Sequence, residues 1–250
     1  AIEKGATGAI VEKGRSVEGI ACIEVDNTLV AYQNLARYHR RRFDIPVVAI
    51  TGSSGKTTTK EMVAAVLGTE FNVLKTEKNY NNEIGLPKTL LRLTAEHEAC
   101  VVEMGMRGLG QIEELALIAE PTMGIITNVG TSHIELLGSR EAIAEAKGEL
   151  IRCLPDSVAI LNEDDPYVKA MDRLAKGKTI TYGIERNATC IGSHLRYKKD
   201  GIKFTCKCYD EVFDIFLPMI GEHNVYDALA AIVAGRVLGI KSNTNRKGLS

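Results

Sequence analysis

The sequence lacks the features that mark nucleic-acid-binding, membrane-spanning and repetitive proteins. Its formal net charge is −1, so there is no overall positive charge to attract a polyanion. No apolar run approaches the roughly 18 residues of a membrane-spanning helix, and the first residues do not resemble a secretory signal. No internal repeat or low-complexity tract is present. At 250 residues, the chain is long enough to bury a sizeable core as one large or two modest domains.

The cysteines and an arginine run do not indicate a binding site. Six cysteines are scattered along the chain. Cys206 and Cys208 alternate along a predicted strand, and no second pair completes a zinc-binding set. We therefore expect reduced thiols in a cytoplasmic protein. The run Arg40-Arg41-Arg42 is interpreted as the solvated end of a helix rather than a binding patch.

The stretch VVAITGSSGKT, residues 47–57, is the most informative part of the sequence. Its apolar, β-branched run predicts a buried strand, and the glycine- and serine-rich turn after it lets backbone N–H groups face inward. A helix predicted from Lys56 to Leu67 adds its positive N-terminal end, which favours anions. In such a loop the lysine contacts the β- and γ-phosphates of a nucleotide, and the next hydroxyl, here Thr57, binds Mg²⁺.

The loop departs from the general phosphate-loop pattern at one position. The pattern G-x-x-x-x-G-K-[ST] places a glycine where this chain has Ile50, so the strict motif is absent. The alternative interpretation is a glycine-rich turn that carries an exposed lysine. The order of strand, turn and helix favours the phosphate-binding interpretation.

The order of predicted elements indicates an α/β fold. A helix over residues 28–43 ends at the breaker Asp44-Ile45-Pro46, which is the predicted domain boundary. Strands and helices then alternate, which indicates a mostly parallel sheet flanked by helices. Residues 189–217 predict an appended antiparallel hairpin and strand around a Lys199-Asp200-Gly201 turn. The alternating segments are strands 99–104, 124–129, 158–162 and 179–183 and helices 109–119, 139–154, 165–175 and 222–238.

Two side chains are predicted to lie beside the phosphate loop because each follows a strand. Glu103 ends an apolar strand, and an acidic residue at the carboxyl end of a parallel strand suits a Mg²⁺ ligand. The alternative is a carboxylate that only caps the next turn. His133 follows the next predicted strand, and its alternative is a structural or exposed histidine.

Lys147 falls on the apolar face of a predicted helix. Ile143, Leu150, Ile151 and Leu154 share that face at helical spacing, and Lys147 lies within the stripe. Burial disfavours an ammonium, so we expect a lowered pKa and a neutral amine that can bind substrate, act as a base or react with CO₂. The resulting carbamate could ligate a metal that His133 also approaches. The alternative is a lysine that snorkels at the edge of the stripe.

Two amide-rich segments complete the set of candidates. The loop Asn79-Tyr80-Asn81-Asn82 can hydrogen-bond a nucleotide or a peptide, or form Asx turns alone. The segment Gly221-Glu222-His223-Asn224 begins the last predicted helix, and the structural alternative for Asn224 is a helix N-cap.

Taken in order, these segments resemble the motifs of one enzyme family, the Mur ligases, which are ATP-dependent amino-acid-adding enzymes of peptidoglycan synthesis. The resemblance covers nearly the whole chain. The asparagine-rich loop and the segment EMGMRGLGQI most resemble the member that joins D-alanyl-D-alanine to UDP-N-acetylmuramoyl-tripeptide. The motifs that carry the resemblance are TGSSGKTT, NYNNEIGLP, VVEMGMRGLGQI, NVGTSHIELLGS, AKGEL, LNEDDP and GEHN.

The resemblance implies roles for particular residues. ATP is the implied cofactor, with two Mg²⁺ sites and a carbamylated Lys147. The family's last helix often reads H-N-x-x-N, whereas this chain has Asp227 at the final position, which leaves that residue without an assigned role. The implied nucleotide-binding residues are Gly52, Ser53, Ser54, Gly55, Lys56, Thr57, Thr58, Asn82 and Asn224. The implied metal ligands are Thr57, Glu103, His133 and Lys147, and the implied catalytic residues are Lys56, His133 and Lys147.

The resemblance also implies a domain organisation and a reaction. Residues 1–44, with a helix end and two predicted strands, correspond to a remnant of a small N-terminal α/β domain that binds a UDP-sugar, together with its linking helix. Residues 45–250 correspond to the central P-loop-type ATP-binding domain, and the family's C-terminal domain is absent. The implied reaction is amide ligation through an acyl phosphate, by a cytoplasmic monomer. A chain of this extent is expected to bind nucleotide but to ligate poorly or not at all.

Other interpretations stay open on the sequence. One is an inert nucleotide-binding module, and another is a different P-loop NTPase, such as a kinase or a motor. A kinase does not need the asparagine-rich loop or the His133/Lys147 pair, and a motor needs a partner-coupling element that is not evident. Folate and cyanophycin ligases share the phosphate loop but not the asparagine-rich loop.

Overall fold

The structure, a computed structural model, describes residues 2–249. Short 3₁₀ helices lie at Ile2–Lys4 and Ala170–Leu174. The strands are β1 (Gly8–Glu12), β2 (Ala21–Val25), β3 (Val47–Thr51), β4 (Val73–Lys75), β5 (Ala99–Glu103), β6 (Met123–Ile126), β7 (Val158–Asn162), β8 (Thr179–Gly183), β9 (Cys190–Lys198), β10 (Gly201–Cys208) and β11 (Glu211–Leu217). The α-helices are α1 (Thr28–Arg40), α2 (Lys56–Leu67), α3 (Gly85–Leu90), α4 (Gln111–Ala119), α5 (Ile134–Leu137), α6 (Arg140–Cys153), α7 (Pro166–Lys169), α8 (His223–Val237) and α9 (Ser242–Gly248). Among residues 2–249, no helix combines the length and the apolar character needed to cross a membrane.

A nine-stranded sheet forms the centre of the molecule. Its strand order is β11-β10-β9-β8-β7-β6-β3-β5-β4. Neighbours from β4 to β9 run parallel, whereas β10 is antiparallel to both β9 and β11. The predicted fold class, a mostly parallel sheet flanked by helices with an appended antiparallel hairpin, is confirmed.

Helices cover both faces of the parallel strands, which explains why these strands are apolar along their whole length. In β3, Val48 and Ile50 pack into one core with residues of α2 and α8. Val47 and Ala49 point to the opposite face and pack with residues of α4 and α6. Every residue of β3 is buried. The apolar run before the phosphate loop is therefore the signature of a strand enclosed on two sides.

Strand β3 lies where the order of the sheet reverses. After β3 the chain adds β4 and β5 on one side, and it then crosses to place β6 on the other side. The loops that follow β3, β5 and β6 therefore diverge around one crevice at the carboxyl edge of the sheet, where ligands bind in open α/β sheets. Gly52 directly follows β3, Glu103 is the last residue of β5, and His133 lies in the segment between β6 and α5.

Two local predictions differ from the structure. Helix α1 ends at Arg40, and this arginine is not solvated: it is 7% exposed and its Nε donates to the Ala119 carbonyl at 3.0 Å. The guanidinium satisfies a carbonyl at the end of α4, which the local sequence does not indicate. The helix predicted over 165–175 divides into α7 and the 3₁₀ helix Ala170–Leu174.

Residues 8–25 form a separate two-stranded sheet in which β1 runs parallel to β2. Helix α1 connects this sheet to β3 and packs against α3 and α4 of the larger unit. Gln33 makes this packing specific, because its Nε2 donates to the Glu83 carbonyl at 3.3 Å and to the Glu114 carboxylate. Helix α1 is therefore attached to the elements that surround the crevice.

Candidate active site

The phosphate loop, residues 52–55, joins β3 to α2, and it needs glycine at two positions. A Cβ on Gly52 would lie 1.8 Å from Thr127 Oγ1, so only glycine permits the loop to approach the end of β6 this closely. Gly55 is the N-cap of α2 and has a φ of 77°, which glycine adopts without strain. A Cβ on Gly55 would also lie 2.7 Å from Asp227 Oδ1. Close contacts from two neighbouring elements thus fix the loop.

The backbone N–H groups of the loop fall into two sets. Those of Ser53 and Ser54 donate to Asn128, to its carbonyl at 3.0 Å and to its side-chain oxygen at 3.1 Å. The four N–H groups from Gly55 to Thr58 have no acceptor among the residues that the structure describes. They lie at the N-terminus of α2, where the helix dipole also favours an anion. The capacity to bind a phosphate therefore resides at the Gly55–Thr58 end of the loop.

Lys56 is half-buried beside this loop rather than exposed, which argues against a mere glycine-rich turn. Its Nζ donates to the Gly52 carbonyl at 2.9 Å. Burial lowers the pKa of Lys56, and the nearby Glu103 carboxylate opposes that shift. Ser53 Oγ is buried and has no hydrogen-bond partner in the described part of the chain. An amine and an unpaired hydroxyl next to free N–H groups fit a phosphate group.

Glu103 ends β5 and is 3% exposed. One carboxylate oxygen accepts from Thr57 Oγ1 at 3.0 Å and the other from Asn81 Nδ2 at 2.8 Å, so neither serves as a cap for the next turn. Lys60 Nζ lies 4.0 Å from this carboxylate. A carboxylate and a hydroxyl beside a phosphate loop are the oxygen ligands that Mg²⁺ takes, with phosphate oxygens and water completing its shell.

The metal ligands that the protein could supply are few. Within residues 2–249, no three His, Cys, Asp or Glu side chains are grouped closely enough to hold a metal ion. This arrangement suits Mg²⁺ that arrives with a nucleotide better than a resident metal enclosed by the protein, because Mg²⁺ in such sites uses one or two carboxylates plus phosphates.

A cavity of about 510 Å³ opens beside the loop and brings five of the twelve predicted site residues together, namely Gly52, Lys56, Asn82, His133 and Lys147. Basic side chains line the part near the loop, and the two acidic residues of the lining come from α4 and from the loop before α3. The lining residues are Leu29, Gly52, Lys56, Asn79, Asn81, Asn82, Glu83, Gly105, Met106, Arg107, Gln111, Glu114, Leu115, His133 and Lys147. Helix α1 therefore contributes one wall, through Leu29.

Lys147 occupies the buried face of α6, as its place in the apolar stripe predicts. Its side chain is 1% exposed, which excludes the snorkelling alternative, and Ile143 and Leu150 beside it are fully buried. Burial, with a smaller contribution from repulsion by Lys56, lowers the pKa of Lys147 to about 7. No carboxylate lies within ion-pair distance of Lys147 in the described part of the chain. About half of the amine is therefore neutral at pH 7.

His133 lies at the N-cap of α5 with a φ of 68°, a left-handed conformation that is uncommon for a residue with a side chain. It is exposed, lines the cavity and faces the basic side chains there. Burial is the largest cause that lowers the pKa of His133, followed by repulsion from Lys147, Lys56 and Arg107. The imidazole is therefore held in its neutral form, the form that binds metals.

In the asparagine-rich loop, Asn81 contacts Glu103, and Asn82, the predicted nucleotide-binding residue, takes a different place. Asn82 lines the cavity, but its Oδ1 accepts from the N–H groups of Ile84 and Gly85 and so caps α3. This matches the Asx-turn alternative. Both asparagines belong to the motif, but their spacing does not show which side chain contacts Glu103 at the end of β5.

Helix α8 begins within one residue of its predicted start, but Asn224 does not cap it. The N-cap is Glu222, and Asn224 lies inside the helix, where its Nδ2 donates to the Ile220 carbonyl at 2.8 Å. The N-cap alternative for Asn224 is therefore wrong. Asn224 is buried and is not part of the cavity lining. Asp227, one turn later, is the residue of this helix that reaches the phosphate loop.

Two further residues support the site without having been predicted from the sequence. Lys60 is 1% exposed and pairs with Glu61 at 3.0 Å as well as approaching Glu103. Asn128 holds the first half of the phosphate loop through the bonds described above. Lys60 lies one helical turn after Lys56 in the predicted helix, and Asn128 belongs to the segment NVGTS, but neither position indicates the partner that gives the residue its role.

Comparison with known sequences identifies the family. The model described as "Mur ligase middle domain" matches residues 50–235. The UDP-N-acetylmuramoyl-tripeptide--D-alanyl-D-alanine ligase of Synechocystis sp. is 48% identical over 259 residues, which cover 100% of this chain and 54% of that protein. The chain spans about half the length of the curated relatives it matches.

Comparison with solved structures agrees with the sequence match. The structure of MurF from Acinetobacter baumannii superposes with a TM-score of 0.94 at 33% identity, covering 99% of this chain and 55% of that one. MurF ligase from Thermotoga maritima, solved in complex with ADP, gives a TM-score of 0.90 at 29% identity, covering 100% of this chain and 58% of that one. The chain belongs to the Mur ligase family.

Proposed function

We propose that this chain forms the nucleotide-binding and phosphoryl-transfer part of an ATP-dependent ligase that joins D-alanyl-D-alanine to UDP-N-acetylmuramoyl-tripeptide. The observation that supports the proposal most is the juxtaposition of free N–H groups at residues 55–58 with the Thr57–Glu103 pair, beside a cavity of about 510 Å³. The activity named for the Synechocystis relative and the ADP complex of the Thermotoga relative support the same assignment.

In this proposal the residues of the phosphate loop bind and orient the nucleotide. The N–H groups of Gly55–Thr58 and the amine of Lys56 hold its β- and γ-phosphates, and Thr57 and Glu103 hold Mg²⁺. The metal, when bound, neutralises charge on the phosphates. Lys56 stabilises the negative charge on the phosphoryl group during its transfer. The Asn81 amide positions Glu103 for this task.

The reaction proceeds in two steps. A carboxylate oxygen of the tripeptide attacks the γ-phosphorus, and the bond to the leaving ADP breaks, which gives an acyl phosphate. The amine of D-alanyl-D-alanine then attacks the acyl carbon, loses a proton and displaces inorganic phosphate. The basic side chains of Lys56 and Arg107 attract the carboxylate and hold it beside the γ-phosphate. Asn82 and Asn224 are proposed nucleotide contacts.

A carbamate on Lys147 is a separate part of the proposal. A neutral amine attacks CO₂, forms an N–C bond and releases one proton, and the product is a carboxylate. The exchange of a positive for a negative charge is favoured beside Lys56, which repels the ammonium form of Lys147. With His133, the new carboxylate supplies oxygen and nitrogen ligands for a second Mg²⁺.

We also propose that the domain boundary lies near residue 45. The two-stranded sheet and α1, residues 1–44, then belong to a UDP-sugar-binding domain, and residues 45–250 form the ATP-binding domain. The separate β1–β2 sheet supports this division. The enzyme is proposed to act as a cytoplasmic monomer.

The test of the ligase is phosphate release by a protein that carries this sequence at the length of its relatives. We expect release to require ATP, UDP-N-acetylmuramoyl-tripeptide and D-alanyl-D-alanine together. Lys56→Met, the control, removes the amine and should abolish release. Release that depends on a folate substrate, or that needs neither peptide, would contradict the assignment.

The carbamate has its own test. With ¹³C-bicarbonate, the wild-type protein should show a carbamate resonance in its ¹³C NMR spectrum, and Lys147→Ala should lack it. Bicarbonate or a short carboxylic acid should then restore part of the activity that Lys147→Ala loses. A wild-type spectrum without the resonance, together with no rescue of the variant, would refute this part of the proposal.

A further inference from the structure

Asp227, the residue to which the family pattern gives no role, lies directly against the phosphate loop. It is on the second turn of α8 and is 5% exposed. Thr59 Oγ1 donates to its Oδ1 at 2.7 Å. The same oxygen faces Gly55, where an added Cβ would be 2.7 Å away. The carboxyl group therefore contacts the N-cap and the first turns of α2, the helix whose N-terminus carries the free N–H groups.

The other oxygen of this carboxyl group has no partner. Asp227 Oδ2 is buried and makes no hydrogen bond within residues 2–249. An ionised carboxylate with a buried, unsatisfied oxygen is costly. Burial raises the pKa of Asp227 to about 6, and the hydrogen bond from Thr59 and the charge of His223 oppose this rise only in part. At pH 7.5 and without a ligand, the group is mainly ionised.

The other titratable groups around Asp227 do not neutralise it. His223, one turn earlier on α8, favours the ionised form but is exposed to solvent. Tyr182 of β8 is near, but its hydroxyl donates to two backbone carbonyls, that of Ile126 at the end of β6 and that of Thr127 just after it. On α2, the amines of Lys56 and Lys60 are engaged with a loop carbonyl and with glutamates. A negative charge at Asp227 therefore acts on the loop without a bound counterion.

We propose that Asp227 is a positioning residue of the phosphate loop and that it takes up a proton when nucleotide phosphates bind. Phosphates at the N-terminus of α2 and an ionised carboxylate against Gly55 repel each other at short range in a poorly solvated place. Protonation removes the repulsion and leaves the Oδ1 contact with Thr59 in place. The inference rests on the proposed nucleotide site.

The consequence is that the nucleotide affinity falls as the pH rises through the pKa values of Asp227 in the free and the nucleotide-bound protein. If the phosphates raise the pKa of Asp227 by one unit, the affinity falls about tenfold between the acidic and the alkaline limits. Asp227→Asn keeps the shape and removes the charge. It should bind nucleotide at pH 8 as tightly as the wild type binds below pH 6.

The experiment is calorimetric titration of the 250-residue chain with Mg-ADP, from pH 5.5 to 8.5, in two buffers of different ionisation enthalpy. The difference in heat between the buffers gives the protons taken up. Subtracting the Asp227→Asn result removes the proton exchange of the nucleotide, of Lys147 and of His133. For a rise of one unit in the pKa, we expect the wild type to take up more protons than Asp227→Asn, by about half a proton per nucleotide near pH 6.5.

Thr59→Val gives a second readout that does not depend on altering Asp227. It removes the hydrogen bond that favours the ionised form, so the pH at which affinity falls should move upward. Thermal unfolding confirms that each variant is folded. The inference would be overturned if wild type and Asp227→Asn took up equal numbers of protons, or if the pH at which affinity falls were the same in Thr59→Val as in the wild type. Either result would leave the nucleotide site intact. A wild type that binds no Mg-ADP would overturn the proposed nucleotide site and this inference with it.

Discussion

Replacing Lys147 with methionine should stabilise the protein while removing its function. Methionine has a similar length and no charge, so it fills the same space on the buried face of α6. The fall in the pKa of Lys147 from 10.5 to about 7 measures how strongly the folded protein disfavours the ammonium. That shift corresponds to at most roughly 5 kcal/mol, and we expect a gain of about 2–5 kcal/mol in the free energy of unfolding at pH 6.5.

The pH dependence gives this prediction a definite sign. Between pH 7 and 10.5 the unfolded chain binds more protons at Lys147 than the folded chain does, so the stability of the wild type rises with pH in this range. The destabilisation is complete below about pH 7 and is lost as the pH approaches 10.5. The advantage of Lys147→Met should therefore shrink steadily between these limits.

Lys60 provides a matched control because it is equally buried but paired. Its Nζ lies 3.0 Å from Glu61 and 4.0 Å from Glu103. Lys60→Met leaves the buried Glu103 carboxylate without this cation, and we expect a loss of roughly 3 kcal/mol. Two substitutions of the same kind at equally buried positions thus have opposite predicted signs.

The assay is urea unfolding of wild type, Lys147→Met and Lys60→Met at pH 6.5 and 9.5. Carbon dioxide and divalent cations are removed so that Lys147 stays unmodified. The denaturation midpoints are compared at constant slope. The reasoning fails if Lys147→Met is no more stable than the wild type at pH 6.5, or if its advantage grows at pH 9.5.

Three other substitutions test neighbouring parts of the site. Gly55→Ala introduces a Cβ at a φ of 77° and 2.7 Å from a carboxylate oxygen, so it should lose about 1–3 kcal/mol of stability in urea and also lose Mg-ADP binding in calorimetry. The Glu149 carboxylate accepts from two N–H groups at the start of α4, at 2.7 and 3.1 Å, and Glu149→Gln weakens these hydrogen bonds. The substitution should lower the thermal midpoint by an amount equivalent to about 1 kcal/mol, with little change in nucleotide affinity. Glu103→Gln should make ADP affinity insensitive to Mg²⁺, whereas a retained Mg²⁺ effect would remove Glu103 from the metal site.

The parts of the fold that could be predicted are those in which the sequence pattern of one segment and the packing of its neighbours favour the same structure. The strand from Val47, the loop and the helix Lys56–Leu67 follow from an apolar run, two glycines and a lysine, and neighbouring elements impose the same geometry. The burial of Lys147 could be predicted because three turns of α6 surround it with apolar residues. In each case one segment of chain contained the whole signal.

Contacts between distant segments could not be predicted in this way. Arg40 was expected in solvent because nothing near it in sequence marks the carbonyl at the end of α4 that it satisfies. The hydrogen bond from Asn81 to Glu103 depends on the position of β5 relative to the asparagine-rich loop. The contact of Asp227 with Gly55 depends on the packing of α8 against α2. The hydrophobic periodicity of either helix does not predict which residues of the two helices meet. Charged side chains that become buried are therefore the residues on which prediction was weakest.

The most direct test of the account is equilibrium binding of Mg-ATP to the 250-residue chain and to its Lys56→Met variant, measured by dialysis with labelled nucleotide. We predict saturable binding of one nucleotide per wild-type chain, weakened when Mg²⁺ is chelated and reduced at least about tenfold in Lys56→Met, because the loop then loses its only phosphate-binding amine. Equal binding by the two proteins, or no binding by the wild type, would contradict the assignment of residues 52–58 as the nucleotide site.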